Sequence, residues 1–83
     1  MIKKGQWEFR ILATEYKYED KIETWFAIHE VYNVDGDIGT TKKSVDVSGN
    51  TKKEVKWRLR QMKKCLYKPI LWGDVRFPQE YKK

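Results

Sequence analysis

The sequence has few of the residues that usually cross-link a small protein or bind a metal. It contains one cysteine, one histidine and two prolines in 83 residues. With Cys65 alone, no intramolecular disulfide can form, which is typical of a reducing compartment. One histidine and one cysteine are also too few for a zinc site with the usual number of ligands. We therefore expect the fold to rest on its hydrophobic core.

Long apolar runs are lacking as well. No run of about 18 apolar residues is present, so the sequence predicts no membrane span. The segment 1–6 contains two lysines but no apolar stretch behind them, so it does not resemble a signal peptide. The expected location is the cytoplasm.

The common signatures of catalysis and nucleotide binding are also missing. Neither G-x-x-x-x-G-K-[ST] nor G-x-G-x-x-G occurs. His29 is next to Glu30 in a predicted strand, so their side chains point to opposite faces and do not form a catalytic pair. Asp35 and Asp37 flank a turn glycine and fit turn chemistry better than calcium binding. We expect no enzyme activity, no cofactor, no metal and no small-molecule substrate.

Aromatic residues, in contrast, are abundant: the chain has four Trp, five Tyr and three Phe. A chain of this length forms one domain, here residues 1–83, and buries only about 60–65% of its unfolded surface. Each large aromatic side chain can bury about 150–250 Å², which partly offsets the small size. We expect the ends, 1–6 and 80–83, to be frayed.

The first half of the chain predicts three strands. Residues 7–13 alternate between apolar and polar side chains, and residues 23–34 are apolar on both sides, as in a central strand. The charged segment 15–21 is interpreted as a hairpin connection. Asp35-Gly36 predicts a tight turn before a third strand at about 38–47. Short connections favour an antiparallel meander.

Residues 51–68 predict an amphipathic helix. Thr51 and Glu54 form a capping box at its start, and Pro69 disfavours helical geometry beyond about Tyr67. The apolar tail 69–72 is expected to fold back. The resulting fold class is α+β, with order β-β-β-α and the helix packed on one sheet face; the other face stays open unless the tail or a second subunit covers it. The apolar stripe of the helix consists of Val55, Leu59, Met62 and Leu66.

Positive charge is concentrated in the helix and tail. Residues 51–83 carry eleven basic and three acidic groups, whereas residues 1–33 and 34–50 each have a net charge of −1. Such asymmetry indicates a polyanionic partner or an acidic protein surface, although lysine is also simply a good helix former. The candidate binding residues lie on the predicted solvent-exposed face of the helix and are Lys53, Trp57, Arg60, Gln61, Lys64 and Lys68.

Trp57 is the unusual member of this basic face, and three explanations remain open. The folded-back tail can cover it through Leu71 or Trp72. It can anchor a protein contact or self-association, because tryptophan and arginine are typical of binding hot spots. It can also stack on an unpaired nucleic-acid base while the cations neutralise phosphates.

Part of the sequence resembles a group of small bacterial and phage proteins to which no function is assigned. The resemblance rests on the strand W-F-A-I-H-E-V-Y at 25–32, on Asp35-Gly36 and on K-P-I-L at 68–71. It covers most of residues 7–71 and implies no activity.

Two functional families share shorter features. Residues 48–55 resemble the entry to the last helix of double-stranded-RNA-binding domains, whose Lys-Lys pair contacts phosphates, although the leading helix of that fold is lacking. Three strands followed by a helix also resemble the arm-type DNA-binding domain of tyrosine integrases, which lays its sheet in the major groove. Here Glu8 and Glu30 are on the expected sheet surface and would repel phosphates.

The sequence thus favours a small non-enzymatic binding or adaptor protein. It would use the basic helix face and the open sheet face to contact an acidic protein surface or a second copy of itself. A phage-encoded inhibitor of a host machine fits this description. The alternative is a module that binds single-stranded or duplex RNA or DNA through residues 52–68, with an affinity that falls steeply with salt.

Overall fold

The computed structural model describes residues 2–82 as a curled four-stranded sheet with one helix, an α+β fold. The strand order is β3-β2-β1-β4. The first three strands form the predicted antiparallel meander, whereas β4 was not predicted and runs parallel to β1. The elements are β1 (Trp7–Tyr18), β2 (Lys21–Val34), β3 (Asp37–Thr40), α1 (Lys52–Lys63), a 3₁₀ turn (Lys64–Tyr67) and β4 (Leu71–Trp72).

The hairpin between β1 and β2 is much longer than predicted. Residues 15–21, interpreted from sequence as a connection, continue both strands, and only Glu19 and Asp20 make the turn. Glu19 adopts a positive φ of 52°, which suits a tight hairpin. The charged side chains resembled a loop because this part of the hairpin extends into solvent and needs no apolar alternation.

The third strand is shorter than the predicted 38–47. It ends at Thr40, and the chain then follows β2 irregularly, with Thr41 N–H donating to Glu30 O (3.2 Å) and Val45 N–H donating to Ile28 O (2.9 Å). Val45 packs against the core. These two backbone hydrogen bonds, with a side-chain contact between His29 Nδ1 and Thr41 O, hold this segment without a continuous ladder.

The two faces of the sheet carry separate hydrophobic clusters. On the inner face, which the helix covers, Phe9, Met62 and Cys65 are buried, with Ile11, Ile28 and Val45 packed against them. On the outer face, Ile2, Leu12, Val31 and Leu71 are buried, with Ile38 and Phe77 packed against them. The N-terminal segment and the tail therefore cover part of the face that the helix leaves open.

The tail folds back, as predicted, and joins the sheet. Leu71 pairs with Leu12 and Trp72 pairs with Ala13. Tyr81 N–H donates to Ile70 O at 2.7 Å, which holds the last described turn against β4. The Tyr81 ring makes edge contacts with Trp72 and with a ring on β2, that of Phe26.

Several residues of the terminal segments that the sequence predicts to be frayed contact the rest of the fold. Ile2 is buried in the outer cluster, and its carbonyl accepts a hydrogen bond from Asn33 Nδ2 at 2.9 Å. Gly5 N–H donates to Asn33 O at 2.8 Å. At the other end, residues 80 and 81 pair with the tail strand. Met1 and Lys83 lie outside the described residues.

Within residues 2–82, no helix is both long and apolar enough to cross a membrane.

Candidate binding surfaces beside the helix

The helix meets the sheet with a different side from the one that the sequence predicts. Of the apolar stripe, Met62 is buried and Val55 is half-buried, but Leu59 and Leu66 are 55% and 61% exposed. The prediction that all four residues pack on the sheet is therefore wrong for the two leucines.

The sheet-facing side of the helix is centred on other residues. Cys65 is buried beside Met62, Gln61 is half-buried, and the Arg58 guanidinium lies 5.9 Å from the centre of the Phe9 ring. At about 100° per residue, this side is rotated by roughly 80° from the middle of the apolar stripe. Burial also raises the pKa of the Cys65 thiol, which favours its uncharged form.

A polar tether joins the chain just after the helical region to β1. Arg10 on β1 is buried and donates from Nη2 (2.6 Å) and Nε (3.2 Å) to the carbonyl of Pro69. Its Nη1 donates to Glu8 at 3.0 Å, and Lys68 Nζ lies 3.1 Å from the other Glu8 oxygen. These bonds hold the chain that follows the 3₁₀ turn against β1.

The rotation leaves an apolar groove along one flank of the helix. Its volume is about 380 Å³. Leu59, Leu66 and Val47 are all exposed at its mouth, and Met62 and Ile28 form its floor. At about 100° per residue, Lys52, Lys56 and Lys63 form a rim next to Leu59. The residues that line this apolar groove are Ile28, Val47, Leu59, Met62, Lys63 and Leu66.

The other flank of the helix forms a second concavity, here called the tryptophan cleft, of about 310 Å³. The cleft brings together four of the six predicted binding residues. Lys53 and Arg60 are exposed on the same helix but do not line it. The sequence did not indicate the residues of β1 on the opposite wall. The lining residues are Trp7, Glu8 and Phe9 from β1 and Trp57, Gln61, Lys64 and Lys68 from the helical region.

The two tryptophans of this cleft are half exposed, Trp7 at 49% and Trp57 at 51%. The Trp7 ring is fixed by an edge contact with the buried Phe9 ring at 5.1 Å between centres. Lys64 Nζ donates to Gln61 Oε1 at 3.2 Å on the helix side. The cleft therefore offers two indole surfaces and an ammonium group to solvent.

The tail does not cover Trp57. Leu71 is buried in the outer cluster, while Trp72 packs against Tyr81 and carries the Arg76 guanidinium 3.2 Å from its ring centre. The explanation that the tail covers Trp57 is therefore wrong, and the protein contact and the nucleic-acid contact remain predictions.

The outer sheet face is covered at its base and open toward the hairpin. A broad groove of about 700 Å³ runs between Trp25 and Tyr16 on one side and Lys42 and Lys43 on the other. His29 lies in this groove, where its Nδ1 is 2.9 Å from Thr41 O, a contact that suits a structural role. Among residues 2–82, no group of three His, Cys, Asp or Glu side chains is placed to hold a metal ion.

Comparison with known proteins gives no relative for this chain: no protein-family model, no curated protein and no solved structure matches it.

Proposed function

We propose that the protein is a non-enzymatic binding module that docks an acidic, amphipathic helix of a partner protein in the apolar groove. The observation that carries this proposal is that Leu59 and Leu66 are exposed beside Val47, although the helix packs on a sheet that could have buried them. Contiguous exposed apolar surface with a polar rim is typical of a protein-interaction site.

The length of the groove suits a helical ligand. Leu59 and Leu66 are seven residues apart, which is two helical turns or about 10 Å along the axis. A partner helix that places apolar residues at i, i+4 and i+7 presents anchors over the same distance. Met62 at the floor is a flexible side chain that can adapt to an inserted group.

The charge of the rim specifies the kind of partner. Lys63 lines the groove, and Lys52 and Lys56 continue the same edge toward the start of the helix. A partner helix with Asp or Glu beside its apolar anchors would be attracted to this edge. A second copy is a poorer occupant, because a symmetric dimer would place the lysine rim against itself.

The test is a binding titration with a labelled acidic amphipathic peptide, beside a peptide of the same composition in scrambled order. We expect the amphipathic peptide to bind more tightly, and the double variant Leu59→Ser/Leu66→Ser to lose this binding. Val75→Ser is the matched control, because Val75 is fully exposed away from the groove. Equal binding of the two peptides, or unchanged binding by the double variant, would contradict the proposal.

A second candidate function is supported by the tryptophan cleft. Trp7 and Trp57 line the same concavity together with Lys64 and Lys68. An unpaired base that stacks on an exposed indole gains about 1–3 kcal/mol. The ammonium groups nearby, with Lys53 and Arg60 on the same helix, could neutralise phosphates. This arrangement favours single-stranded RNA or DNA over a duplex, whose bases are already stacked.

This second function is tested by anisotropy with labelled single-stranded and duplex oligonucleotides at two salt concentrations. We expect single strands to bind and Trp57→Ala to weaken them by about 5- to 150-fold, which corresponds to about 1–3 kcal/mol. Leu59→Ser should leave this binding intact. If Trp57→Ala binds as tightly as the wild type, the cleft is not a base-stacking site.

A further inference from the structure

The long hairpin leaves part of β2 at the edge of the sheet. β3 pairs with β2 only from Val31 onward, and Val45 makes the last backbone contact, at Ile28. Within residues 2–82, no strand pairs with β2 on this side over residues 21–27. We call this part of β2 the open edge. It is a sizeable fraction of an elongated molecule of 45 × 30 × 22 Å.

The alternation of hydrogen bonds shows which residues face the open edge. The carbonyls of Ile28 and Glu30 accept hydrogen bonds from the β3 side, so even-numbered residues of β2 point their backbone groups away from β1. Antiparallel strands keep this alternation along their length. The open edge therefore presents the N–H and C=O groups of Ile22, Thr24 and Phe26.

The side chains of these three residues lie on the inner face of the sheet. Ile22 is 65% exposed and Phe26 is 47% exposed. Thr24 lies between them and pairs with Glu15 of β1. A two-stranded ribbon with exposed apolar groups is only marginally stable alone, and its bare edge is a template for another strand.

We propose that two copies of the chain pair along the open edge, antiparallel and centred on Thr24, to form one continuous sheet. In this register Thr24 lies opposite Thr24 of the second copy, and Ile22 lies opposite Phe26. All three outward-facing residues of each strand then bond, which gives about six backbone hydrogen bonds across the two-fold axis. The exposed Ile22 and Phe26 side chains bury one another, as a cross-strand apolar pair.

The neighbouring registers are less favourable. Centring the pair on Glu23 would place two carboxylates directly opposite each other. Centring it on Trp25 would pair Ile22 with Ile28, whose carbonyl already accepts the hydrogen bond from Val45. The Thr24 register uses every open group and none that is already bonded, and it places an uncharged residue on the axis.

The first test is the oligomeric state of charge variants at Thr24, measured by sedimentation equilibrium over a range of concentrations. We expect the wild type to dimerise, Thr24→Lys and Thr24→Glu each to be monomeric by like-charge repulsion, and their equimolar mixture to dimerise again. In Thr24→Lys the introduced ammonium group would face Glu15 across the hairpin, so the monomer should stay folded, which circular dichroism checks.

The second test is amide hydrogen exchange at low and high protein concentration. In the dimer, the amides of Ile22, Thr24 and Phe26 should gain protection with concentration. Those of Glu23 and Trp25 serve as internal controls, because they already face β1.

A wild type that remains monomeric at millimolar concentration would overturn the proposal. So would a dimer that survives in Thr24→Lys. If that dimer is instead lost in Leu59→Ser/Leu66→Ser, the interface is the apolar groove. The open edge shares no residue with the apolar groove or the tryptophan cleft, so failure here leaves both candidate functions unaffected.

Discussion

Met62 and Leu59 belong to the same apolar stripe in the sequence, but the fold uses them differently. Met62 is 4% exposed in the inner cluster, whereas Leu59 borders the apolar groove. Periodicity identifies which residues share a helix face. It does not reveal the rotation of that face, because the side that packs on the sheet is defined by contacts between residues far apart in the sequence, such as those of Phe9 with Met62 and Cys65.

We expect Met62→Ala and Leu59→Ala to have unequal effects on stability. Met62→Ala should lower the free energy of unfolding by about 2–5 kcal/mol, because it leaves a cavity in the core. Leu59→Ala should cost less than about 1 kcal/mol, since its side chain is already largely in water. Urea unfolding of both variants checks this, and equal losses would show that the stripe packs as the sequence alone predicts.

Arg10 is a buried charge whose partners hold the end of the helix. Arg10→Ala should lower the free energy of unfolding by about 2–3 kcal/mol, because the Pro69 carbonyl loses its side-chain donor and Glu8 keeps only Lys68 as a partner. Arg60→Ala is the control, since it is exposed and should change stability by no more than about 0.5 kcal/mol. Urea unfolding again provides the measurement, and similar values for the two variants would contradict the tether.

The sequence could indicate the helical wall of the tryptophan cleft but not the wall formed by β1. Trp57, Gln61, Lys64 and Lys68 stand out because a tryptophan is unusual on a cationic helix face. Trp7 could not be linked to them, because its alternation with neighbouring residues predicts a half-buried strand position, and its approach to the helix is a tertiary contact across fifty residues.

At the scale of elements, the sequence correctly predicted the features that depend on neighbouring residues, such as the two ends of the helix. The helix starts at Lys52 as predicted, with Glu54 N–H donating to the Thr51 hydroxyl at 3.1 Å, and helical structure ends at Tyr67 before Pro69. The Glu54 carboxylate accepts from Asn50 N–H and the Thr51 hydroxyl. Only the last turn differs, because it is a 3₁₀ turn.

Elements that depend on distant partners were missed. β4 has two residues, too few for any periodicity, and exists because Leu12 and Ala13 offer it a free edge. Its approach also requires a glycine: a Cβ at Gly73 would lie 2.9 Å from Thr14 Oγ1 and 3.0 Å from Leu12 Cβ. The sequence predicted that the tail returns but could not show where it lies.

An ion pair in the turn after β4 should make the free energy of unfolding depend on pH. The Arg76 guanidinium bonds the Asp74 carboxylate and holds its pKa at about 2, below the ordinary 3.8. Because the folded state favours the ionised form, Asp74 stabilises the fold above about pH 4, and this contribution is lost as the pH falls toward 2.

We therefore expect Asp74→Asn to be less stable than the wild type at neutral pH, and the difference to shrink toward about pH 2. Urea unfolding across this range measures it. Glu80→Gln is a control, because Glu80 is an exposed carboxylate in the same tail. A difference that stays constant with pH would show that the Asp74 charge is not the cause.

At the scale of the whole molecule, the direction of the open edge determines where the two helices would lie in the proposed dimer. A two-fold axis between antiparallel edge strands is perpendicular to the sheet, so both helices of the proposed dimer would be on the same face. Two apolar grooves would then be presented together, and a partner with two acidic helices could bind more tightly than either site alone allows.

The pairing of β4 with β1 also bears on how the chain folds. Leu71 meets Leu12 across 59 residues, so this contact closes a much longer loop than the β1–β2 hairpin does. Long-range pairing of this kind is slow to form and is expected after the hairpin and the helix. We expect Leu71→Ala to accelerate unfolding and leave the refolding rate nearly unchanged in stopped-flow measurements. The last strand of the sheet would then be the first element to separate from it when the protein unfolds.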